Sequence, residues 1–370
     1  EAAENRASRD GFGGIGVTIA VEKEGVRILK VMHYTPAERA GLKADDYIIA
    51  IDGMPVTGLS QQEVIGKLRG AIDSRVMLTV RRTGQPEPMA INVTRAHVVP
   101  ETVSYRREGN VAYLRVFGFN RETANSLRRE IKAAAEEIGP ELAGYVIDLR
   151  GNPGGLLDQA VAVADLFLDG GRIVSTRGRH PDSHQYYEAT PGDIADGKPI
   201  VVLINGSSAS ASEIVAAALQ DDGRAVVIGS NSYGKGTVQT VIRMPNDGEL
   251  TLTWARFHAP SGYTLNHLGV LPTICTSAGS ALTDSDRVLA DLSAGRLKPV
   301  PTASRNAVDP SDTDALDDLR ADCPQRRNED GLDLVLALRL LENPALYRQA
   351  VHLADTPGIG IADQSVLLPQ

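Results

Sequence analysis

Ser210 and Lys235 are the residues of this chain best set for chemistry, each in a turn rich in glycine and serine. The first turn runs Asn205-Gly206-Ser207-Ser208-Ala209-Ser210-Ala211-Ser212-Glu213; the second runs Tyr233-Gly234-Lys235-Gly236-Thr237-Val238-Gln239. A serine hydroxyl at a strand-to-helix turn becomes a nucleophile when a neighbour takes its proton. A lysine set between glycines is a candidate for that neighbour, because burial strips an ammonium of its charge. Ser207, Ser208 and Ser212 compete with Ser210 but read as turn formers or helix caps, Ser212 suiting a cap before Glu213. Ala211 follows Ser210, so its backbone N–H can point into the same site. The rival chemistry is a histidine triad, but His258 and His267 stand in no triad context and read as surface or packing residues. Cys275 is a weaker nucleophile, and no Cys/His spacing suits a metal.

These turns need elements to hold them. The apolar run Ile200–Ile204 reads as a strand leading into the serine turn, and Glu213 to Leu219 as the helix leaving it. From about His97 strands and helices alternate. Strands are expected at Val111–Val116, Tyr145–Leu149, Ala225–Ile228 and Leu250–Trp254, and helices at Thr123–Ile138 and Leu156–Leu166. That alternation predicts an α/β core with much of its sheet buried. From Gly11 to about Ala96 the texture is β-rich, with strands expected at Ile15–Val21, Val26–Val31, Tyr47–Ile51, Val76–Val80 and Ala90–Val93. Ser60 and Glu63 form a capping box that starts a helix ending at Leu68. Residues 297–330 read as a linker or irregular loop, and Leu332–Leu341 as a helix.

At 370 residues the chain predicts more than one domain and a sizeable core. The net charge of −9, with scattered basic residues, argues against nucleic acid as the main partner. No apolar run reaches the ~20 residues of a membrane span. The chain opens at Glu1 rather than Met, without a visible signal peptide, and is read as a mature or trimmed form. Cys275 and Cys323 are either two buried thiols or one disulfide closing a long loop; a bridge implies an oxidising compartment.

Phe12-Gly13-Gly14-Ile15-Gly16-Val17, Ala40-Gly41-Leu42 and Ile51-Asp52-Gly53, in that order, resemble a PDZ domain of the kind found in bacterial proteases. A Gly-Ile-Gly turn lets successive backbone N–H groups converge on a carboxylate. The strand after it can pair with an incoming peptide. The resemblance therefore implies a peptide-binding site at Gly14, Ile15, Gly16 and Val17, walled by the helix that ends at Leu68.

Asp148-Leu149-Arg150-Gly151-Asn152-Pro153-Gly154-Gly155, the Ser-Ala-Ser-Ala-Ser-Glu turn and the Gly-Lys-Gly-x-x-Gln segment together resemble the carboxyl-terminal processing, or tail-specific, protease family. The stretch Thr253 to Pro272 adds a fourth fragment, and the likeness runs from about residue 11 to 276. It implies an α/β protease core with an inserted or preceding β-rich PDZ domain. The division expected is a lead-in at 1–10, the PDZ domain at 11–96, the core at 97–277 and a C-terminal segment of unassigned role at 278–370. The family's nucleophile falls on Ser210, its general base on Lys235 and the supporting amide on Gln239. The N–H groups of Gly154 and Ala211 fall at the oxyanion. No cofactor or metal is implied.

The implied activity is serine endopeptidase cleavage of proteins near their C-termini, the tail being captured by the PDZ domain. Partners would be proteins or peptides with accessible C-termini, and an activating partner and the oligomeric state are left open. The location implied is periplasmic or otherwise exported. Arg69, at the end of the capping-box helix, is read as a link between tail binding and catalysis, or equally as a cation complementing the helix C-terminus. The alternatives are a non-catalytic PDZ scaffold and an acyl hydrolase acting on small esters.

Overall fold

Strands with one apolar and one polar face need a single cover, whereas uniformly apolar strands need two. Both kinds occur in the computed structural model, which describes residues 11–244, 248–277, 284–298, 302–329 and 331–354. The chain divides into two compact units, Glu1–Glu101 and Thr102–Gln370. The expected lead-in at 1–10 lies outside the described residues.

The first unit contains β1 (Phe12–Gly14), β2 (Val17–Glu22), β3 (Gly25–Val31), α1 (Pro36–Arg39), β4 (Tyr47–Ile51), β5 (Met54–Pro55), α2 (Gln61–Leu68), β6 (Arg75–Arg81), β7 (Met89–Thr94) and β8 (Ala96–Val98). The main sheet has the order β2-β3-β4-β6-β7, which leaves β2 on an edge, and β1 pairs with β8. Val76, Leu78 and Val80 alternate inward on β6 and meet Val64 and Leu68 of α2 in one core. The expected capping box is present: Ser60 Oγ accepts from the Glu63 N–H, and the Glu63 carboxylate from the Ser60 N–H. Gly16 turns the chain at φ +86°, where a Cβ would stand 2.3 Å from the Thr35 Cβ, so glycine alone fits.

The second unit opens with β9 (Val103–Glu108), β10 (Val111–Val116), α3 (Thr123–Ile138), β11 (Gly144–Asp148), α4 (Leu157–Asp165), β12 (Arg172–Arg177), β13 (Gln185–Glu188), β14 (Ile200–Ile204), α5 (Ala211–Asp221) and β15 (Val226–Gly229). It continues with β16 (Thr237–Arg243), β17 (Glu249–His258), β18 (Ile274–Cys275), α6 (Ser285–Ser293), α7 (Thr302–Ala307), α8 (Thr313–Ala321), α9 (Gly331–Leu341) and α10 (Pro344–His352). The central sheet runs β18-β15-β14-β11-β10-β9, parallel except where β9 pairs with β10. A separate antiparallel sheet runs β13-β12-β17-β16.

Alternation divides the parallel strands between two cores. Leu114, Ile147, Val202 and Val227 pack with α3, α4 and α5. Tyr113, Val146, Val201, Leu203 and Ile228 pack with Val288 and Leu292 of α6, Leu336 and Leu340 of α9, and Tyr347 of α10. The segment after residue 277 thus supplies the second cover that the buried strands demand. Residues 297–330, expected to be a linker or irregular loop, instead carry the helices α7 and α8. Leu316 of α8 is buried in the first of these cores, so tertiary packing overrides the polar composition of the segment.

Cys275 and Cys323 are joined in a disulfide spanning 48 residues of sequence. It ties the end of the central sheet to the segment after α8. Replacing both cysteines by serine is expected to lower the unfolding free energy by about 4 kcal/mol, the chain-entropy value for a loop of this length. Urea denaturation of the two proteins checks this.

Candidate active site

Three turns emerge side by side from the C-terminal ends of the parallel strands β11, β14 and β15, which are neighbours in the sheet. They are the segments 148–155, 205–212 and 230–236. In open α/β sheets this is the end at which ligands bind.

The first two turns are laced together. Gly151 N–H donates to the Asn205 side chain at 3.0 Å, Ser208 Oγ to the Leu149 carbonyl at 2.8 Å and Ser212 Oγ to the Asn152 carbonyl at 2.9 Å. Ser212 therefore does not cap α5, as its position before Glu213 suggested. The residue at the N-cap is Ser210, with φ +56° and ψ −111°, a conformation that costs about 1–3 kcal/mol for a residue with a Cβ. Ser207 and Ser208 belong to the turn: the Ser207 N–H donates to the Asn205 carbonyl group of the side chain, and Ser208 Oγ accepts from the Asn205 N–H.

Glu213 joins the second and third turns. Its side chain is fully buried, and one carboxylate oxygen accepts both the Ser210 N–H at 2.7 Å and the Lys235 N–H at 2.9 Å. The other oxygen accepts Ser232 Oγ at 2.5 Å and the Gly234 N–H at 2.6 Å. The turns also meet directly, the Tyr233 N–H donating to the Ser208 carbonyl at 2.9 Å. The residues singled out as nucleophile and base thus have their backbones bonded to a single oxygen. Sequence reasoning gave Glu213 no part in the site, although Ser210 and Glu213 have the S-x-x-E spacing of a capping box.

Gly154, at φ +99°, lies against Ser210: a Cβ there would stand 2.9 Å from the Ser210 Cβ and 3.0 Å from the Ala211 nitrogen. Gly154 and Ala211 are therefore neighbours, as an oxyanion pair must be. The Gly154 N–H donates to the Asn152 side chain at 2.9 Å, so it is engaged in this arrangement rather than free for an oxyanion. Among the described residues the Ala211 N–H makes no hydrogen bond.

Lys235 differs from expectation in its surroundings. It is exposed, not buried, just ahead of the strand β16 that ends the antiparallel sheet. Its ammonium makes no hydrogen bond or ion pair among the described residues. Gln239 lies on β16, also exposed, and makes no hydrogen bond to Lys235. Of the rival histidines, His258 Nδ1 pairs with the Gly262 carbonyl and burial lowers its pKa, while His267 is exposed. Neither bonds a carboxylate. Among the described residues no group of three acidic, histidine or cysteine side chains is placed to hold a metal.

Beneath the site a buried ion network ties β11 to α9. Arg150 donates to both oxygens of Asp148 and, at 3.2 Å, to Asp333. Asp333 also accepts from Thr276 and Arg326. Burial and Asp148 push the Tyr113 hydroxyl up to about 12, so it stays protonated and donates to Asp148 at 2.5 Å.

In the first unit, a groove opens between the edge strand β2 and α2. Gly14, Ile15, Gly16 and Val17 line it, with Ile65 and Arg69 opposite. The Ile15 and Gly16 carbonyls are turned away to accept the Ala37 and Met32 N–H groups. The Arg69 guanidinium lies 4.0 Å from the centre of the Phe12 ring, and its Nε is buried without a partner.

Fold and site together define an α/β unit with three turns gathered at one sheet end, preceded in the chain by a β-rich unit with a groove beside its edge strand. The profile of peptidase family S41 matches residues 110–276, and that of the PDZ domain matches residues 27–82. The chain is 44% identical over 276 residues to the carboxy-terminal-processing protease of Bartonella bacilliformis, an alignment covering 74% of this chain and 64% of that protein. It is 35% identical over 266 residues to the carboxyl-terminal-processing protease of a Picosynechococcus species, covering 70% of this chain and 63% of that one. Among solved structures it is similar to a photosystem II D1 C-terminal processing protease, at 30% identity over 78% of each chain and a TM-score of 0.45. The chain thus spans less than two thirds of the length of these curated relatives. Over residues 110–276 it matches peptidase family S41, and over about three quarters of its length it is similar to carboxyl-terminal-processing proteases.

Arg150→Ala is expected to cost about 3–5 kcal/mol, because it leaves Asp148 and Asp333 buried without their shared cation. The shift of the urea midpoint at unchanged slope measures it.

Proposed function

We propose that this chain is a serine endopeptidase that cuts protein substrates near their C-termini, with a Ser–Lys dyad. The observation that carries the reading is the pair of hydrogen bonds holding the Ser210 and Lys235 backbones on one Glu213 oxygen. Ser210 Oγ attacks the scissile carbonyl carbon and its proton passes to the neutral Lys235 amine. The N–H groups of Ala211 and Gly154 receive the oxyanion, Gly154 exchanging its Asn152 partner for it. As the C–N bond breaks, the Lys235 ammonium returns the proton to the leaving amine. Water then attacks the acyl-serine by the same path in reverse.

The exposure of Lys235 sets a condition. A bound substrate that covers the side chain would take its amine out of water and into the kind of environment in which a lysine serves as a base. Gln239, on the strand that follows, is assigned to orient the amine once it is covered. Activity should therefore depend on occupancy of the site by a chain long enough to shield Lys235.

The groove between β2 and α2 is assigned to the substrate tail. A peptide pairing with β2 would bring its terminal carboxylate to the Gly14-Ile15-Gly16 turn. Arg69, with an unpartnered nitrogen and its side chain in this groove, is the residue assigned to report tail binding. The disulfide suits an exported enzyme.

Cleavage of an unfolded protein with an apolar C-terminus is expected for the wild type and lost, by at least about 1,000-fold in kcat, in Ser210→Ala and in Lys235→Ala with folding retained. A wild type that binds C-terminal peptides yet cleaves nothing would favour the non-catalytic scaffold. Arg69→Ala is expected to leave basal cleavage intact and to abolish its stimulation by an added tail peptide; unchanged stimulation removes Arg69 from that role.

A further inference from the structure

The dyad mechanism makes no use of the Glu213 carboxylate, yet no group at the site is more completely engaged. An ionised carboxylate accepts at about four lone-pair positions and donates nothing. Here four donors fill them: Ser210 N–H, Lys235 N–H, Gly234 N–H and Ser232 Oγ. Burial raises the pKa of this carboxyl and the four donors oppose the rise; in its ionised form the group accepts all four bonds. The site is also closed over it. A Cβ on Gly269 would stand 3.1 Å from the carboxylate and 2.6 Å from Ser232 Oγ, so bare backbone covers the group.

A helix cap explains a quarter of this. Capping α5 requires only the Ser210 N–H and contributes about 1 kcal/mol. The other three bonds reach 19, 21 and 22 residues along the chain, all to the lysine turn. That turn is braced from the far side by the Arg320 guanidinium, which donates to the Ser232 and Leu268 carbonyls and interacts electrostatically with Glu213. Gln325 donates to the same Ser232 carbonyl at 2.7 Å. Arg320 and Gln325 flank Cys323, so the disulfide fixes the brace to the sheet.

We propose that Glu213 is a positioning residue for catalysis, a buried carboxyl group that locks the Ser210 turn to the lysine turn and so sets the approach of Lys235 to Ser210. The proposal rests on the Ser210–Lys235 reading. It differs from a purely structural role in one respect: loosening the lock changes the reactivity of molecules that are still folded. Glu213→Gln keeps the shape but turns an amide N–H toward donors, so about half of the four bonds are lost.

The test uses the full chain with Glu213→Gln, measuring kcat and KM on an unfolded protein substrate, the rate of Ser210 labelling by a fluorophosphonate, and thermal unfolding. Expected is a fall of about 100-fold in kcat and in labelling rate, in parallel, with KM within about threefold of wild type and a cooperative melt. Turnover and labelling by folded Glu213→Gln within about threefold of wild type overturn the proposal, whatever the melting temperature does. Should Glu213→Gln not fold, Ser232→Ala decides. It removes the Oγ donor to Glu213, together with the acceptor of the Val270 N–H, and is expected to lower kcat about tenfold at unchanged KM; an unchanged kcat overturns the proposal. Ser210→Ala and Lys235→Ala run alongside: activity surviving in either overturns the dyad itself, and the positioning role with it. Inactive dyad variants beside a fully active Glu213→Gln remove the positioning role alone.

Discussion

A parallel sheet must be covered on both faces, and every other arrangement in the second unit follows from that constraint. Strands such as Ile200–Ile204 are buried throughout, so neither face tolerates water. One cover comes from the crossover helices α3, α4 and α5, which parallel connections require in any case. The other comes from α6, α9 and α10, of which only α9 was legible as a helix in the sequence. Burying Leu336 and Leu340 alone is worth about 1.5–3 kcal/mol each.

The same sheet decides where chemistry can occur. Parallel strands end together, so the turns after β11, β14 and β15 converge at one edge without further design. Short polar side chains then take over. Asn205, Ser208 and Ser212 bond backbone groups of the adjoining turn, Asn152 bonds the Val116 carbonyl at the end of β10, and little freedom is left there. The strained backbone at Ser210 persists because this lacing over-determines it. Asp148, Arg150 and Asp333 extend the chain of constraint into α9, so the second cover and the site are parts of one electrostatic system.

Local signals were legible wherever they depend on neighbours in sequence. The capping box at Ser60 and Glu63 follows from spacing alone, as do the limits of β4, β10, β14 and α3. Ser210 and Lys235 stand out because glycine and serine cluster around them. Glu213 did not, for a physical reason: its partners Ser232, Gly234 and Lys235 are distant in sequence, and its own capping-box spacing was masked by the more obvious Ser212. The helices α7 and α8 were missed because their polar composition lacks a broad apolar face, and Leu316 is buried only once the core it joins exists. The exposure of Lys235 is likewise a property of the assembled fold, which no run of residues announces.

What this sequence determined by itself is a matter of period and punctuation: which stretches are strands or helices, where turns fall, and which serine and lysine sit in glycine-rich turns. Those properties are set within a few residues by sterics and hydrogen bonding. What only the tertiary structure decided is pairing: Cys275 with Cys323, the two cores on opposite sheet faces, and one buried carboxylate shared by two turns. Such pairings depend on which distant surfaces can be desolvated together, and that free energy belongs to the assembled fold rather than to any segment of it.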